Sequence, residues 1–366
     1  LLFEAAMPIS IPSGRTLPLQ SKAGGGFRSS GFVGSNPPLL RFSDVTSGPT
    51  SGLGDGLGAG SLVTIWGHNL GETRGTSSVF FTDSLGVKRE AAHYYYWKRA
   101  DGVAPSGPAN LWKSHRMIEI AFSIPAGSMT GVGQITVEAS GSVSTSVPFT
   151  IRAGRILWVA PDGNNSNAGT DYNAPKAFVN GSINPTAPSS FGNALMQPGD
   201  IVYSRSVNEP VFTSGARESG MYLRSLAGTE AEPIAIVAYP GAYSTVVAKN
   251  TGFHPYLTSG IITSKYSIKV GKRDPASTTV DPGNSAESNF HIGCTDYGRA
   301  VGNYCGERSG WVFDGWSGAI TGKGESFKVF GNHLFDLGND YTSHFQHTTY
   351  FSIRNDTATV AAPWEV

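Results

Sequence analysis

The chain has little charge, no excess of either sign and no long apolar segment. Charged residues make up 15% of its 366 residues, and 27 basic residues balance 27 acidic ones. A neutral chain lacks the positive charge that phosphate binding requires, so we expect no nucleic acid partner. No run of 18 or more apolar residues is present, so we expect no membrane-spanning helix. The motifs GxGxxG, GxSxG and HExxH and the P-loop are also absent, which argues against the common cofactor enzymes.

Cysteine is scarce. Only Cys294 and Cys305 occur, in the segment CTDYGRAVGNYC. They are either unrelated thiols or a local disulfide, and the turn-forming residues between them favour the disulfide. Such a bond would indicate an oxidising compartment. Two cysteines without a suitably spaced histidine do not complete a four-ligand zinc site.

Glycine and proline, in contrast, are abundant. The 47 glycines and 22 prolines exceed the average share of about 12% for these two residues together. Together with the many Ser, Thr and Asn residues they favour short strands and tight turns over helices, so we predict an all-β protein. Residues 1–37 contain the run GGGFRSSGFVGSNPP and are predicted to be an extended arm or linker that contacts a neighbouring subunit of a homo-oligomer or larger assembly.

Residues 38–153 show short alternating strands with Gly/Pro turns, which is typical of a β-sandwich. The predicted strands are Ser61–Trp66, Val79–Thr82, Met117–Ile124, Gln134–Glu138 and Val147–Arg152. The segments TSGP at 46–49, GSLVTIWGHNLG at 60–71, IPAG at 124–127 and VPFTI at 147–151 resemble the IPT/TIG family of immunoglobulin-like modules. The resemblance implies a spacer or protein-contact module and implies no catalytic residues.

Residues 154–366 change character again. DGNNSNAGT at 162–170, GDIVY at 199–203 and PIAIVAYPG at 233–241 resemble the entry to secreted, pectate-lyase-like proteins. The resemblance implies a right-handed single-stranded parallel β-helix, which we expect to continue beyond Val366. Later segments beginning at Gly310, Phe327 and Tyr350 are about one coil apart, so Val312, Val329 and Ile353 are predicted to stack inside the helix, with Asn332 in a polar ladder between coils.

The densest group of polar side chains lies within residues 331–356. A polysaccharide lyase needs a base, an acid and a cation to neutralise the uronate carboxylate. His333 or His347 as base, Tyr350 as acid and Arg354 as carboxylate clamp meet that description, whereas the other interpretation is turn and ladder residues. Asp314, Trp316 and Asp336 extend the predicted glycan-facing groove, and Asp314 with Asp336 is conceivable as a hydrolase pair.

Two further segments carry candidate ligands. The oxygen-rich loop with Asp162, Asn164, Asn167 and Asp171 is a candidate Ca²⁺ site, and the alternative is a loop closed by Asx-turns. We predict that no cofactor is required apart from this candidate Ca²⁺. The run Tyr94, Tyr95, Tyr96 and Trp97 either binds sugar rings or a partner from an exposed surface, or fills the junction between the two domains.

Two functional hypotheses follow, both placing the protein outside the cell, at a cell surface or on a virion. The favoured one is a structural or adhesive surface protein, such as a phage tail fibre or spike, an adhesin or a filament subunit, with a polysaccharide or surface glycan as partner. The second is a secreted polysaccharide-degrading enzyme, specifically a lyase acting on acidic polysaccharide. The fold alone does not decide between them.

Overall fold

The protein is built from β-strands joined by loops. The computed structural model describes residues 36–177, 196–205, 208–211, 219–224, 226–241, 243–248, 251–271, 287–293, 295–307, 317–335 and 346–352. Within these residues there is one helix, five residues long, and no helix has the length and apolar composition needed to cross a bilayer. The all-β prediction is therefore confirmed.

Residues 38–153 form what we call the two-sheet region. In chain order its elements are Leu39–Ser43 (β1), Ser47–Gly48 (β2), Leu62–His68 (β3), Ser78–Thr82 (β4), Lys88–Glu90 (β5), His93–Arg99 (β6), Leu111–His115 (α1), Ile118–Ser123 (β7), Gly131–Ala139 (β8), Ser142–Val143 (β9) and Val147–Ile151 (β10). One sheet has the order β1-β3-β7-β6 and is antiparallel. The other has the order β2-β10-β8-β4-β5, with β9 on β8, and is antiparallel except where β2 meets β10.

The five strands predicted in this region are all present, as β3, β4, β7, β8 and β10. Alternation identifies them because β4, β8 and β10 bury every second side chain. Strand β6 was not predicted as a strand, since its run HYYYWKR does not alternate between apolar and polar residues. A register shift between Tyr94 and Tyr96 in its pairing with β7 further disrupts the two-residue period.

Residues 154–352 form the three-sheet region. Its strands are Ile156–Ala160 (β11), Lys176–Ala177 (β12), Ile201–Ser204 (β13), Asn208–Val211 (β14), Ser219–Arg224 (β15), Ile234–Ala238 (β16), Ser244–Ala248 (β17), Thr251–Tyr256 (β18), Ile261–Ser264 (β19), Tyr266–Val270 (β20), Glu287–Gly293 (β21), Arg299–Val301 (β22), Tyr304–Glu307 (β23), Ser317–Lys323 (β24), Lys328–Phe330 (β25), His333–Leu334 (β26) and Gln346–Ser352 (β27). From β13 onward, the chain enters three sheets in turn, and each strand pairs in parallel with the strand three places later.

The first sheet has the order β12-β11-β13-β16-β19-β22-β25, the second β14-β17-β20-β23-β26, and the third β15-β18-β21-β24-β27. Strands of the first sheet start at residues 201, 234, 261, 299 and 328, so one coil takes 27 to 38 residues. The predicted coil length of about 17 to 23 residues is therefore wrong. It compared strands of different sheets, because β27 pairs with β24 and not with β25.

Side chains at equivalent positions of successive coils lie in contact. The rings of Phe253 and Phe290, which are register partners in β18 and β21, stack with centroids 4.8 Å apart. Phe327, directly before β25, meets Phe290 edge-on at 6.1 Å from a different position of the coil. Val329 is aligned with Ala300 in the first sheet, whereas Val312 and Ile353 lie outside the described residues. Each coil therefore buries its apolar face mainly against the next coil.

The two regions share one apolar core. Alternate residues of β13 divide between two clusters: Val202 belongs to the interior of the three-sheet region, and Ile201 and Tyr203 belong to a cluster that continues into the two-sheet region. That shared cluster includes Leu62, Ile65, Phe122, Trp158, Ala235, Val237 and Ile262. Residues Asn36–Val366 accordingly form one compact unit, although the sequence divides them into two kinds of strand pattern.

Candidate functional site

The contact face between the sheet β1-β3-β7-β6 and the first sheet of the three-sheet region, here called the seam, contains a network of buried polar groups. The hydroxyl of Tyr203 accepts from the N–H of Leu62 at 2.8 Å and donates to the carbonyl of Leu62 at 2.9 Å. The Arg152 side chain donates to Ser47 Oγ at 2.8 Å and to the carbonyl of Gly199 at 2.7 Å. These bonds satisfy polar groups that burial would otherwise leave unpaired, and they fix the register between the regions.

Three ionisable residues lie buried in the seam. Lys265 Nζ, on a side chain that is 3% exposed, donates to Thr64 Oγ1 at 2.7 Å and is 3.7 Å from Asp44 Oδ2. Asp44 Oδ1 accepts from the N–H groups of Val45 at 2.7 Å and Thr64 at 2.8 Å. This donor set suits an ionised carboxylate beside the Lys265 ammonium group. Burial lowers the pKa of Lys265, and the charges of Asp44 and Glu119 act in the opposite direction.

Glu119 is the third member. One of its oxygens, Oε1, accepts from the Tyr96 hydroxyl and from the Gly107 N–H at 2.8 Å, whereas Oε2 is buried without a hydrogen-bond partner. Burial raises the pKa of Glu119 above its ordinary value, against the smaller opposing effects of Tyr96, Gly107 and Lys265. Burial disfavours the charged form of Glu119, and this favours a balanced cluster in which Lys265 is the cation and Asp44 the anion.

The cavity beside this cluster is too small for a substrate. It is lined by Tyr96, Gly107, Tyr239, Tyr243 and Lys265 and encloses about 10 Å³, which is room for about one water molecule. A lysine and a glutamate with perturbed pKa values are features of many active sites. The described side chains leave room here for about one water molecule, and the arrangement suits the joining of two regions.

Sequence reasoning did not identify this cluster. Its signal is a single charged residue among uncharged ones: Glu119 within MIEIAFSI, which contains β7, and Lys265 within IITSKYSI, where it joins β19 to β20. Charged residues are almost never fully buried unless they are paired. Two such residues in buried segments therefore indicate that each requires a partner, although the sequence does not show that the partners lie in the other region.

The aromatic run at residues 94–97 lies partly in the seam. Tyr96 and Trp97 are buried, and the Tyr95 hydroxyl donates to Asp55. Asp55 also accepts from Tyr239 of the three-sheet region at 2.8 Å, and hydrogen bonds from both tyrosines and two backbone N–H groups lower the pKa of Asp55 against the effect of burial. Of the two interpretations of this run, the structure places Tyr95 and Tyr96 at the junction.

Tyr94 has a different environment from its neighbours. Its hydroxyl accepts from the N–H of Val79 at 2.8 Å, and the Arg74 guanidinium lies 4.0 Å from its ring centroid. A further aromatic cluster of the seam contains Trp158, Tyr172, Tyr203 and Tyr239, with ring centroids 4.9 to 5.9 Å apart. Most aromatic contacts of this junction therefore stabilise the packing of the two regions.

Only one of the four predicted catalytic side chains is described. His333 lies in β26 of the second sheet, whereas His347 and Tyr350 lie in β27 of the third sheet. Arg354 lies outside the described residues, as do Asp314, Trp316 and Asp336. The backbone thus places the two histidines on different sheets, and a shared lyase site remains a prediction.

His333 is held by the two-sheet region. Its Nδ1 accepts from the backbone N–H of Asn110 at 3.3 Å, and its ring meets Tyr304 edge-on with centroids 5.3 Å apart. Burial and, second, the positive charge of Lys113 lower the pKa of His333. In the neutral imidazole an accepting Nδ1 leaves the proton on Nε2, so this histidine presents a hydrogen-bond donor to solvent.

The predicted Ca²⁺ ligands take part in loop hydrogen bonds. Asn164 Oδ1 accepts from the Ser166 N–H at 2.9 Å, and Asp171 Oδ1 accepts from the Asn173 N–H at 2.8 Å. These are the Asx-turns of the alternative interpretation. Asn167 donates to Pro175 O at 2.8 Å, and the exposed Asp162 pairs with Arg205 at 3.1 Å. No group of three His, Cys, Asp or Glu side chains suited to a metal occurs in the described residues, and Ca²⁺ binding remains a prediction.

The predicted disulfide is not seen at its described half. Cys305 is a free thiol, fully buried in β23, and Cys294 lies outside the described residues. Its strand position aligns with Ile268 of one neighbouring coil and Leu334 of the other, so its side chain occupies an apolar position in the interior. Burial raises the pKa of Cys305, as expected for an unreactive thiol.

Comparison with known proteins does not add a family. No protein-family model matches this chain, and the search of the curated proteins found no match. The resemblances to the IPT/TIG and pectate-lyase-like families therefore rest on the sequence motifs and on the strand arrangement alone, and a functional argument must come from the geometry described above.

Proposed function

We propose that this chain is an extracellular structural or adhesive surface protein, comparable to a tail fibre, a spike, an adhesin or a filament subunit. In this proposal residues 38–153 are an IPT/TIG-like immunoglobulin sandwich and residues 154–366 are a right-handed parallel β-helix. That assignment is supported by the two mainly antiparallel sheets of the first region and by the three parallel sheets of the second, which the chain enters in turn. The glycan-facing surface belongs to the β-helix, and residues 1–37 connect subunits.

The shared core is the observation that carries the proposal. Domains joined in one chain move relative to each other unless their interface is large and hydrophobic. Here the interface is a continuous apolar cluster that includes Trp158, Tyr203 and Val237, and the buried Asp44–Lys265 pair lies in the same contact face. An accessory module of an enzyme needs only a tether, whereas a protein that transmits force or presents a surface requires this stiffness.

Native mass and particle shape test the proposal. We expect light scattering and electron microscopy of the full chain to show a trimer, a larger oligomer or a filament. A variant that lacks residues 1–35 should have a lower assembly mass and an unchanged circular dichroism spectrum, because the compact unit begins at Asn36. A full-length chain that stays monomeric near 38.6 kDa at all concentrations would contradict the assembly proposed here.

One observation favours the second candidate, a lyase on acidic polysaccharide. His333 is partly exposed, and Lys113 lies close enough for its charge to lower the histidine pKa. A cation next to an imidazole suits a substrate that carries carboxylates. With its proton on Nε2, His333 would act as the acid, and the base would be a different residue, for which His347 remains the prediction.

Product absorbance distinguishes the two candidates. A lyase releases unsaturated sugars that absorb ultraviolet light, and His347→Ala or Arg354→Ala should abolish that signal on polygalacturonate or alginate. His333→Ala should reduce it, and Tyr304→Phe is the control because it preserves the ring contact with His333. Absence of product from the wild-type chain on every acidic polysaccharide would remove the lyase candidate.

A further inference from the structure

Positive charge is concentrated around helix α1, although the chain as a whole is neutral. We call this set the basic patch, and its members are Arg41, His68, Arg99, Lys113, His115 and Arg116. Four of the six are permanent cations, and one carboxylate, Glu72, pairs with one of them, Arg99. Within the described residues no ion pair is made by Arg41, Lys113 or Arg116. Four cations and one carboxylate give the patch a net charge of about +3, without counting His115.

Contacts connect one side of the patch. Arg41 Nε donates to His68 Nδ1 at 3.4 Å, and His68 Nε2 lies 3.0 Å from the carbonyl of His115. The first contact makes Nδ1 an acceptor, so Nε2 carries the ring proton and donates to that carbonyl. His68 is thus used to align β3 with the end of α1, and the guanidinium nitrogens Nη1 and Nη2 of Arg41 remain available to a ligand.

Trp112 organises the other side. The guanidinium of Arg99 lies 4.5 Å from the Trp112 ring centroid, and that of Arg116 lies 5.3 Å from it. Contact with an aromatic ring holds a guanidinium in place and leaves the N–H donors in its plane accessible, although Arg99 already uses one of them on Glu72. Fixed guanidinium groups bind planar anions such as carboxylate better than mobile lysines do, because less entropy is lost on binding.

The patch continues in two directions. Beside Arg41 and His68 an open groove of about 700 Å³ is bounded by Asn69 on one side and by Val143 and Thr145 on the other. At the opposite end Asn110, whose side chain caps α1 by accepting from the Lys113 N–H, donates its own N–H to His333 of the three-sheet region at 3.3 Å. A single extended ligand could therefore run from the groove across α1 to the side of β26, a path that both regions line.

We infer that the basic patch and this groove bind an anionic polysaccharide, through its carboxylate or sulfate groups. The inference rests on the proposed function for the choice of a glycan, and it adds the chemical class of that glycan. A polysaccharide with a charge on every residue or every second residue matches a few separated cations, here Arg41 in the groove and Lys113 and Arg116 on α1 and at its end. Duplex nucleic acid binding uses about six to ten phosphate contacts, and the four cations here are too few.

Two charge-matched variants test the inference in the full chain. Lys113→Gln/Arg116→Gln removes two unpaired cations of the patch, and Arg74→Gln/Lys88→Gln removes two cations that pair with Glu90 and Glu138 elsewhere on the two-sheet region. The probes are polygalacturonate, heparin, neutral dextran and duplex DNA, with binding measured by calorimetry at two salt concentrations. We expect the patch variant to bind polygalacturonate or heparin about tenfold more weakly, and the control variant to bind as wild type does.

Binding should also weaken as salt rises, since exposed charges are screened over about 10 Å at 0.1 M. Equal loss in both double variants, no binding of either acidic polysaccharide by the wild type, or tighter binding of duplex DNA would each overturn the inference. Native mass, measured on the same samples, separates the two proposals. A normal oligomer without polysaccharide binding contradicts only the patch, and a monomer that binds contradicts only the assembly.

Discussion

The two regions bury their strands in different ways. In the two-sheet region β8 and β10 expose every second side chain, because one face of their sheet is in contact with solvent. In the three-sheet region β11, β13 and β16 bury every side chain. One face of these strands is inside the coil, and the other lies under the two-sheet region.

This difference explains why the two-sheet and three-sheet regions form one compact unit. The strands ILWVA (β11) and IAIVA (β16) have apolar side chains on both faces, so each face must pack against an apolar surface. The interior of the coil covers only one of these faces. The second neighbour is the sheet β1-β3-β7-β6, whose β7 is likewise buried along its whole length. Continuous apolar strands in the two regions therefore identify the surfaces that meet, and the following variants test how strongly each surface contributes.

The largest effect is expected at the buried ion pair of the seam. Lys265→Met should lower the free energy of unfolding by about 3–5 kcal/mol, because it leaves the Asp44 carboxylate buried without its cation. Chemical denaturation followed by tryptophan fluorescence measures this. The exposed pair Arg74–Glu90 is the control, and Arg74→Met should cost less than about 1 kcal/mol. Similar costs for the two variants would show that the seam is a loose contact.

Two neighbouring isoleucines compare the two apolar cores directly. Ile261 and Ile262 are adjacent in β19 and each is 1% exposed, yet Ile261 belongs to the interior of the coil and Ile262 to the shared core. Replacement of either by alanine should cost about 2–5 kcal/mol in unfolding free energy. A cost below about 1 kcal/mol for Ile262→Ala alone would mean that the two regions separate readily in solution.

A smaller effect is expected in the asparagine ladder, which only the three-sheet region has. Asn303 donates to Thr263 O at 3.2 Å and to Asn332 Oδ1 at 2.9 Å, and it accepts from the Tyr266 N–H at 3.1 Å. Asn303→Ala should cost about 1–3 kcal/mol, because buried backbone groups lose their partner. Gln134→Ala, at an exposed position of β8 in the two-sheet region, is the control and should change little. Equal values for the two variants would contradict a stabilising role for the ladder.

The sequence predicts what depends on local pattern. Alternation locates five strands of the two-sheet region, and Asn332 is correctly placed in a ladder, since its side chain bonds Asn303 of the preceding coil. Coil length was wrong because an apolar segment such as FKVF shows burial but not which of three sheets it joins. Cys305 is a buried free thiol, whereas Cys294 lies outside the described residues, so the disulfide stays a prediction; spacing to the next cysteine does not show whether a side chain points inward.

The seam cluster could not be predicted as a unit. Asp44, Glu119 and Lys265 are separated by 75 and 146 residues along the chain. Glu119 lies within β7, Asp44 directly follows β1, and Lys265 joins β19 to β20. Their proximity is a consequence of how the first sheet lies on the two-sheet region. Single charges in or beside buried strands were visible, but only tertiary structure shows that they compensate one another.

The smallest expected effect is a dependence of the free energy of unfolding on pH, which arises from Glu119 in the seam. Burial raises the pKa of Glu119 above its ordinary value of 4.5, so the folded state keeps this proton to higher pH than the unfolded state does. The associated stabilisation is complete below pH 4.5 and is lost as pH rises through the folded pKa. The groups facing Glu119 are Tyr96, Lys265 and Asp44, of which Tyr96 has a pKa raised mainly by burial and remains a donor.

Glu119→Gln should therefore gain free energy of unfolding relative to the wild type as the pH increases from about 5 upward, because glutamine keeps an acceptor for Tyr96 and never ionises. Comparison of denaturation midpoints across this range isolates Glu119, since the lowered pKa of Lys265 has the opposite slope in both proteins. Glu138→Gln, in the exposed pair with Lys88, is the control, and its denaturation midpoint should change with pH as that of the wild type does. A parallel profile for Glu119→Gln as well would mean that Glu119 is ionised in the seam, and the charge balance argued for the Asp44–Lys265 pair would then be wrong.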